Sequence, residues 1–252
     1  VYKRQILFWL ITDSCHPLAI LTMPMSPAWS ASNLLAVFAM WVVMMIAMML
    51  PSALPMILMH QRMAKKSKNA FENLSFTFSY LFIWVIFSII AVIFQFTAQK
   101  VGFLDPASLK ISTIISIILL ILAGVYQFTE LKNTCLSKCR TPAGFFMGFW
   151  QSGVIGAFNM GIRHGLFCLG CCWAIMLLLF VGGVMNLTWV LLLTIAVIAE
   201  KTLPAGEFIS RAIGVVLILA AAYMGYGLIY ADNMQPMNGM MMECMGSIKM
   251  DN

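Results

Sequence analysis

Residues 34–59 contain no charged side chain, and neither do residues 75–98, 111–128 or 213–229. A helix that crosses the hydrocarbon core of a bilayer needs about 20 predominantly apolar residues. In water such runs would need a polar coat from the rest of the chain, and the chain has little to offer. Its 252 residues hold 15 Lys and Arg and 9 Asp and Glu, so 10% are charged. A soluble domain carries roughly 25%. A soluble enzyme, a nucleic-acid binder and a disordered chain are therefore excluded, although the formal net charge is +6. The composition implies one all-α, polytopic transmembrane helix bundle, with the lipid bilayer as its first partner and no nucleic acid.

The runs give six or seven helices. Residues 34–59, 75–98, 111–128 and 213–229 each read as one pass, with Pro51 and Pro55 expected to kink the first. Between residues 143 and 186 the single charge is Arg163. That stretch reads either as two passes broken at Gly161–Gly165, or as one pass over 165–184 preceded by a re-entrant or interfacial helix at 145–161. Residues 188–199 form a short pass that ends in Glu200–Lys201, where an interface pair is about as expected as a functional one. Residues 1–33 read as the stump of a first spanning helix, or of a signal segment, followed by an outer loop. Residues 34–231 form the bundle, and 232–252 a mobile Met-rich tail. Arg62, Lys65, Lys66 and Lys68 mark one cytoplasmic loop, and Lys132, Lys138 and Arg140 mark another. The side on which the tail lies depends on whether 145–161 spans.

The chain carries 22 Met and 7 Cys. Met160, His164, Cys168, Cys172 and Met176 are spaced by four, and Cys171 follows Cys168 by three. On a helix all six lie along one side. Thiolates and thioethers are soft donors that select Cu(I), with Zn as the second candidate. Taken singly, a buried Cys or His is more often structural; three thiols within five residues of each other, one turn after an imidazole, favour a site. The glycines at 161, 165 and 170 let a neighbouring helix come close. On helix 34–59, Met40, Met44 and Met48 form one row, and Met45 and Met49 the next. Such a stripe is first a core filler and second a set of weak soft ligands; Met44 and Met48 are the members assigned to the site. His60 ends that helix. Cys15, His16, Met23 and Met25, and the Met and Cys residues at 234–245, add soft donors outside the bundle. Cys135 and Cys139 lie four apart in a basic turn, as a metal-passing or redox pair or as plain structure. There is no ATPase or nucleotide motif, so no enzyme class is assigned.

The runs AMWVVMMIAMMLPSALP (39–55), LKNTCLSKCRTP (131–142), GIRHGLFCLGCCWAIMLLLFVGGVMNLTW (161–189) and AEKTLPAG (199–206), followed by Arg211, resemble a bacterial family. It is a domain-of-unknown-function family described as predicted metal-binding integral membrane proteins. The likeness spans about residues 20–230. It implies a multi-helix protein of the bacterial inner membrane whose metal ligands map onto His164, Cys168, Cys171 and Cys172. The reading that follows is a copper-binding membrane protein acting in metal homeostasis, transfer or metalloprotein assembly. Its partner would be a metallochaperone or a metalloenzyme. Two alternatives stand beside it: a thiol–disulfide carrier using Cys168/Cys171 and Cys135/Cys139, and a structural subunit of a membrane complex.

Overall fold

A computed structural model describes residues 31–64, 70–104, 111–184 and 186–248, with backbone alone from residue 231. Among the described residues the chain is all-α, with nine helical segments and no strand. They are α1 (Ala31–Ala64), α2 (Ala70–Lys100), α3 (Thr113–Tyr126), α4 (Glu130–Arg140), α5 (Pro142–Phe149), α6 (Gly153–Leu177), α7 (Leu179–Gly182), α8 (Leu187–Thr202) and α9 (Gly206–Ile248). The stump at residues 1–12, the donors Cys15, His16, Met23 and Met25, and the side chains of the Met-rich tail lie outside the described residues.

Among the described residues, four helices are long and apolar enough to cross a membrane: α1, residues Phe71–Lys100 of α2, the run Gly153–Gly182 that joins α6 and α7, and Gly206–Tyr230 of α9. The α3–α4 pair, bent by 66°, would make a fifth as a broken span or a re-entrant loop. With 16 residues, α8 is shorter than a straight pass requires.

Pro51 and Pro55 lie inside α1 and do not end it. Each removes a backbone donor. In the turn they disturb, the Met49 carbonyl accepts from Ser52 Oγ at 2.9 Å and from Tyr80 OH of α2 at 3.2 Å. The carbonyls that lose a donor to these prolines are those of residues 47 and 51, so the Tyr80 contact is an added tie between α2 and α1.

The expected break at Gly161–Gly165 is absent, because α6 runs through both glycines. They serve packing instead. A Cβ on Gly161 would lie 1.9 Å from Ser79 Oγ and 2.3 Å from the Phe76 carbonyl oxygen. One on Gly165 would lie 2.8 Å from Ile83. Small residues four apart let α6 rest almost on the backbone of α2. The chain breaks earlier, at residues 150–152, where Gly153 takes a positive φ of 87°. The segment before it folds as the short helix α5, opened by Pro142 in its first turn.

The basic segment expected as a cytoplasmic turn is instead a helix. Thr129 caps α4 by accepting from the Lys132 backbone N–H, Glu130 sits in the first turn, and Lys138 and Arg140 sit in the last. Lys132 is fully buried. Its ammonium pairs with Glu200 of α8 and donates to Gln127 Oε1, which also accepts from Ser210 Oγ of α9 at 3.0 Å. Arg140 closes the same end by donating to the carbonyls of Leu203 and Pro204. The reason for the difference is the ion pair: with Glu200 as its counter-ion, Lys132 can sit inside the bundle.

The outward faces are apolar. Leu35, Ile155, Phe208, Val216 and Leu219 are all more than 60% exposed. Lys132, Glu200, Gln127 and Ser210 are buried.

Candidate metal centre

The site begins with the spacing on α6. Met160, His164, Cys168, Cys171, Cys172 and Met176 are all buried there. One turn apart, Cys168 and Cys172 share a face, and Cys172 Sγ donates to the Cys168 carbonyl at 2.8 Å. Cys171 Sγ donates to the same carbonyl at 3.1 Å.

Four other helices bring one group each to these thiols. From α1, Met49 Sδ lies 3.9 Å from Cys172 Sγ. From α2, Tyr80 OH lies 3.2 Å from Cys168 Sγ. From α4, Cys139 Sγ lies 4.0 Å from Cys171 Sγ. From α8, Lys201 Nζ lies 2.9 Å from Cys168 Sγ and 3.9 Å from Cys172 Sγ, and it donates to Ser52 Oγ at 3.5 Å. Five sulfur atoms, a phenol and an ammonium thus meet at the centre of the bundle. Glu200 and Lys201 do not form one interface pair. Adjacent residues on a helix point in different directions, so Glu200 engages Lys132 while Lys201 reaches the thiols. A thiolate at Cys168 would find its counter-charge in that ammonium.

His164 stands one turn before Cys168, in an aromatic box. Its ring lies 5.3 Å from Tyr80, 6.1 Å from Phe76 and 5.7 Å from Phe145, centroid to centroid. Both ring nitrogens are buried and neither has a hydrogen-bond partner. A buried polar group without a partner costs about 1–3 kcal/mol, and imidazole is a common metal ligand. The donor set of His164, the thiols and Met49 has the softness that Cu(I) selects. Among the described residues, no group of three or more His, Cys, Asp or Glu side chains is arranged so that it could hold a metal ion; the sulfur cluster is held by hydrogen bonds and by Lys201.

The remaining assigned donors are spread along the bundle. Met48 is buried and Met44 half-buried in the core on α1, and the thioether that meets Cys172 is their neighbour Met49. Met176 is buried in the same core, one turn beyond Cys172. Met160 belongs to a second buried cluster with Met56, Phe76, Phe145 and Phe146. Cys135 packs against Gly170, where an added Cβ would lie 2.8 Å from its sulfur. Tyr80 had no signal in the sequence. Lys201 had one: a cation inside an apolar helix needs a partner.

A family model described as "PpoB2: Copper chaperone" matches residues 38–224. No curated protein and no solved structure matches the chain.

Proposed function

We propose, starting from the fact that the chain belongs to the PpoB2 copper chaperone family, that it is an integral membrane protein that takes up Cu(I) at the sulfur cluster and passes it to a metalloprotein or a soluble metallochaperone. The apolar outward faces and the four long helices support the membrane placement; the resemblance noted from the sequence supports a bacterial inner membrane. The observation that carries the reading is the cluster of sulfur contacts, Cys171 with Cys139 and Cys172 with Met49, beside a Lys201 ammonium that reaches Cys168 and Cys172.

Each group then has a task. Cys168 and Cys172, with His164 one turn away, hold the cargo as thiolates and imidazole. Met49 offers a weaker thioether beside them. Cargo must be held without being trapped, and a soft thioether next to tight thiolates gives the ion a step by which to leave. Lys201 balances the charge of a cation bound by more than one thiolate, which would otherwise be a net anion in an apolar interior. Tyr80 ties the Cys168 sulfur to the Met49 carbonyl, and so ties α6 to α1. Cys171 and Cys139 supply a second sulfur pair through which the ion can be exchanged.

The test is the metal content of the purified protein after anaerobic exposure to Cu(I), compared with that of Cys168→Ser/Cys172→Ser. Loss in the variant of the one tightly held equivalent of copper is the expected result. Equal, trace copper and zinc in both preparations would refute the reading. The 4.0 Å approach of Cys139 and Cys171 gives a thiol–disulfide carrier a pair different from either one expected from sequence. A carrier would cycle a 139–171 disulfide and carry no copper.

A further inference from the structure

The second buried cluster holds donors that the sulfur site does not use. On α1, Met56 is followed four residues later by His60. On α6, Met160 is followed four residues later by His164. Both helices thus carry the same Met–x–x–x–His spacing, which sets the two side chains on one face, a turn apart. Met56, His60 and Met160 are each 1% exposed, and His164 is 3% exposed.

The two pairs meet across one aromatic ring. The His60 ring stacks on Phe76 at 4.5 Å and 11°. Phe76 also lies nearly parallel to the ring of His164, at 6.1 Å and 18°. The stack then continues from His164 to Tyr80 at 5.3 Å, whose hydroxyl reaches Cys168 Sγ. Met56 and Met160 are packed with the same Phe76, and with Phe145 and Phe146. A line of soft and imidazole donors therefore runs from the end of α1 to the thiols.

Two observations separate this line from ordinary core packing. The first is that both nitrogens of buried His164 lack partners. The second is that His60 Nδ1 lies 3.3 Å from Asn73 Oδ1. The amide oxygen can only accept, so Nδ1 carries the proton and Nε2 keeps its lone pair. Metal-binding histidines are commonly oriented in this way, by a hydrogen bond from the ring nitrogen that is not the ligand. Leucine and phenylalanine would fill the same space without burying imidazoles.

We propose that Met56, His60 and Met160 form a second, weaker Cu(I) station, and that His164 is the step between it and the thiol cluster. The proposal rests on the copper reading of that cluster and extends it: the ion enters or leaves through a thioether–imidazole site at the His60 end. No redox change is involved, since Cu(I) passes between ligands as Cu(I). Thioethers and neutral imidazoles add no negative charge, so this station holds the ion less tightly than thiolates do, as a point of exchange requires.

The experiment is a Cu(I) titration of the full chain in lipid nanodiscs, under reducing and anaerobic conditions, against a chromogenic Cu(I) chelator. The unaltered protein should bind two equivalents, one tightly and one weakly. Met56→Leu/Met160→Leu keeps the apolar volume and should lose the weak equivalent alone. Cys168→Ser/Cys172→Ser should lose the tight one and retain the weak one, with X-ray absorption of the retained copper showing nitrogen and thioether sulfur. His60→Asn gives a second route to the same loss should the double Leu variant fold poorly. A single tight equivalent, unchanged by either Met56→Leu/Met160→Leu or His60→Asn, would overturn the station and leave the thiol site standing. Absence of any bound copper in the unaltered protein would overturn both.

Discussion

Replacing Gly161 by Ala tests whether the contact between α2 and α6 is what assembles the centre. The added Cβ would fall 1.9 Å from Ser79 Oγ and 2.3 Å from the Phe76 carbonyl oxygen, against an ordinary contact that begins at 3.4 Å. The serine hydroxyl can rotate away; the backbone oxygen cannot. To restore contact at that oxygen, α6 has to withdraw from α2 by about an ångström. The 3.2 Å contact between Tyr80 OH and Cys168 Sγ lies on the same interface, two turns along α6, and lengthens with it. Overpacking of a closed interface costs about 1–3 kcal/mol, and a backbone clash belongs at the upper end. A loss of about 3 kcal/mol is roughly a hundredfold in the folding equilibrium. Gly165→Ala meets only the Ile83 side chain, at 2.8 Å, and should cost less. Gly148→Ala meets nothing within 4 Å and serves as the control. The assay is reversible unfolding of the three variants in mixed micelles, with Cu(I) affinity measured on the folded fraction. The order of damage should be Gly161, then Gly165, then Gly148, with weakened Cu(I) binding in the first. A Gly161→Ala protein as stable and as metal-competent as Gly148→Ala would refute the close-packing argument.

Other expectations follow from the buried charges and sulfurs. Lys132→Met leaves Glu200 without its cation and should destabilise the fold by about 3–5 kcal/mol, while Lys132→Met/Glu200→Met recovers most of the loss; unfolding of the single and double variants checks both. Lys201→Met removes the charge that balances a Cu(I)–thiolate centre and should weaken Cu(I) binding by about 1.5–3 kcal/mol, roughly ten- to hundredfold in Kd, with Lys201→Arg recovering part of it in a competition titration. Tyr80→Phe removes a hydroxyl shared by Cys168 Sγ and the Met49 carbonyl and should cost about 1 kcal/mol in unfolding. Mild oxidation with diamide should link Cys139 to Cys171 rather than Cys168 to Cys171, as mapped by peptide mass after alkylation, and bound Cu(I) should protect both thiols.

The helices were legible because a charge-free run of sufficient length has few other folds open to it. Their ends were less so: α1 reaches Ala64 and α2 starts at Ala70, since polar residues continue a helix as readily as apolar ones once it has left the core. Helical spacing put Cys168 and Cys172 on one face, and the structure adds the hydrogen bond between them. The same spacing could not choose between Met48 and Met49 as the thioether that faces Cys172, because a local pattern does not fix the rotation of α1 about its axis. Packing against α2 and α8 fixes it. The burial of Lys132 on α4 was hidden for a related reason. A lysine in a basic turn is a topology signal until its carboxylate is known, and the partner of Lys132 lies on a different helix, at Glu200. The separate directions of Glu200 and Lys201 were readable in principle, since adjacent helical residues cannot face one neighbour.

A copper-transfer role requires that copper be bound by sulfur inside the bundle. Copper K-edge X-ray absorption on the purified, Cu(I)-loaded protein in lipid measures this directly. A shell dominated by cysteine thiolate, which gives way in Cys168→Ser/Cys172→Ser to thioether sulfur and nitrogen, is the predicted spectrum. A shell of nitrogen and oxygen alone, or a sulfur shell unchanged by the two substitutions, would contradict it.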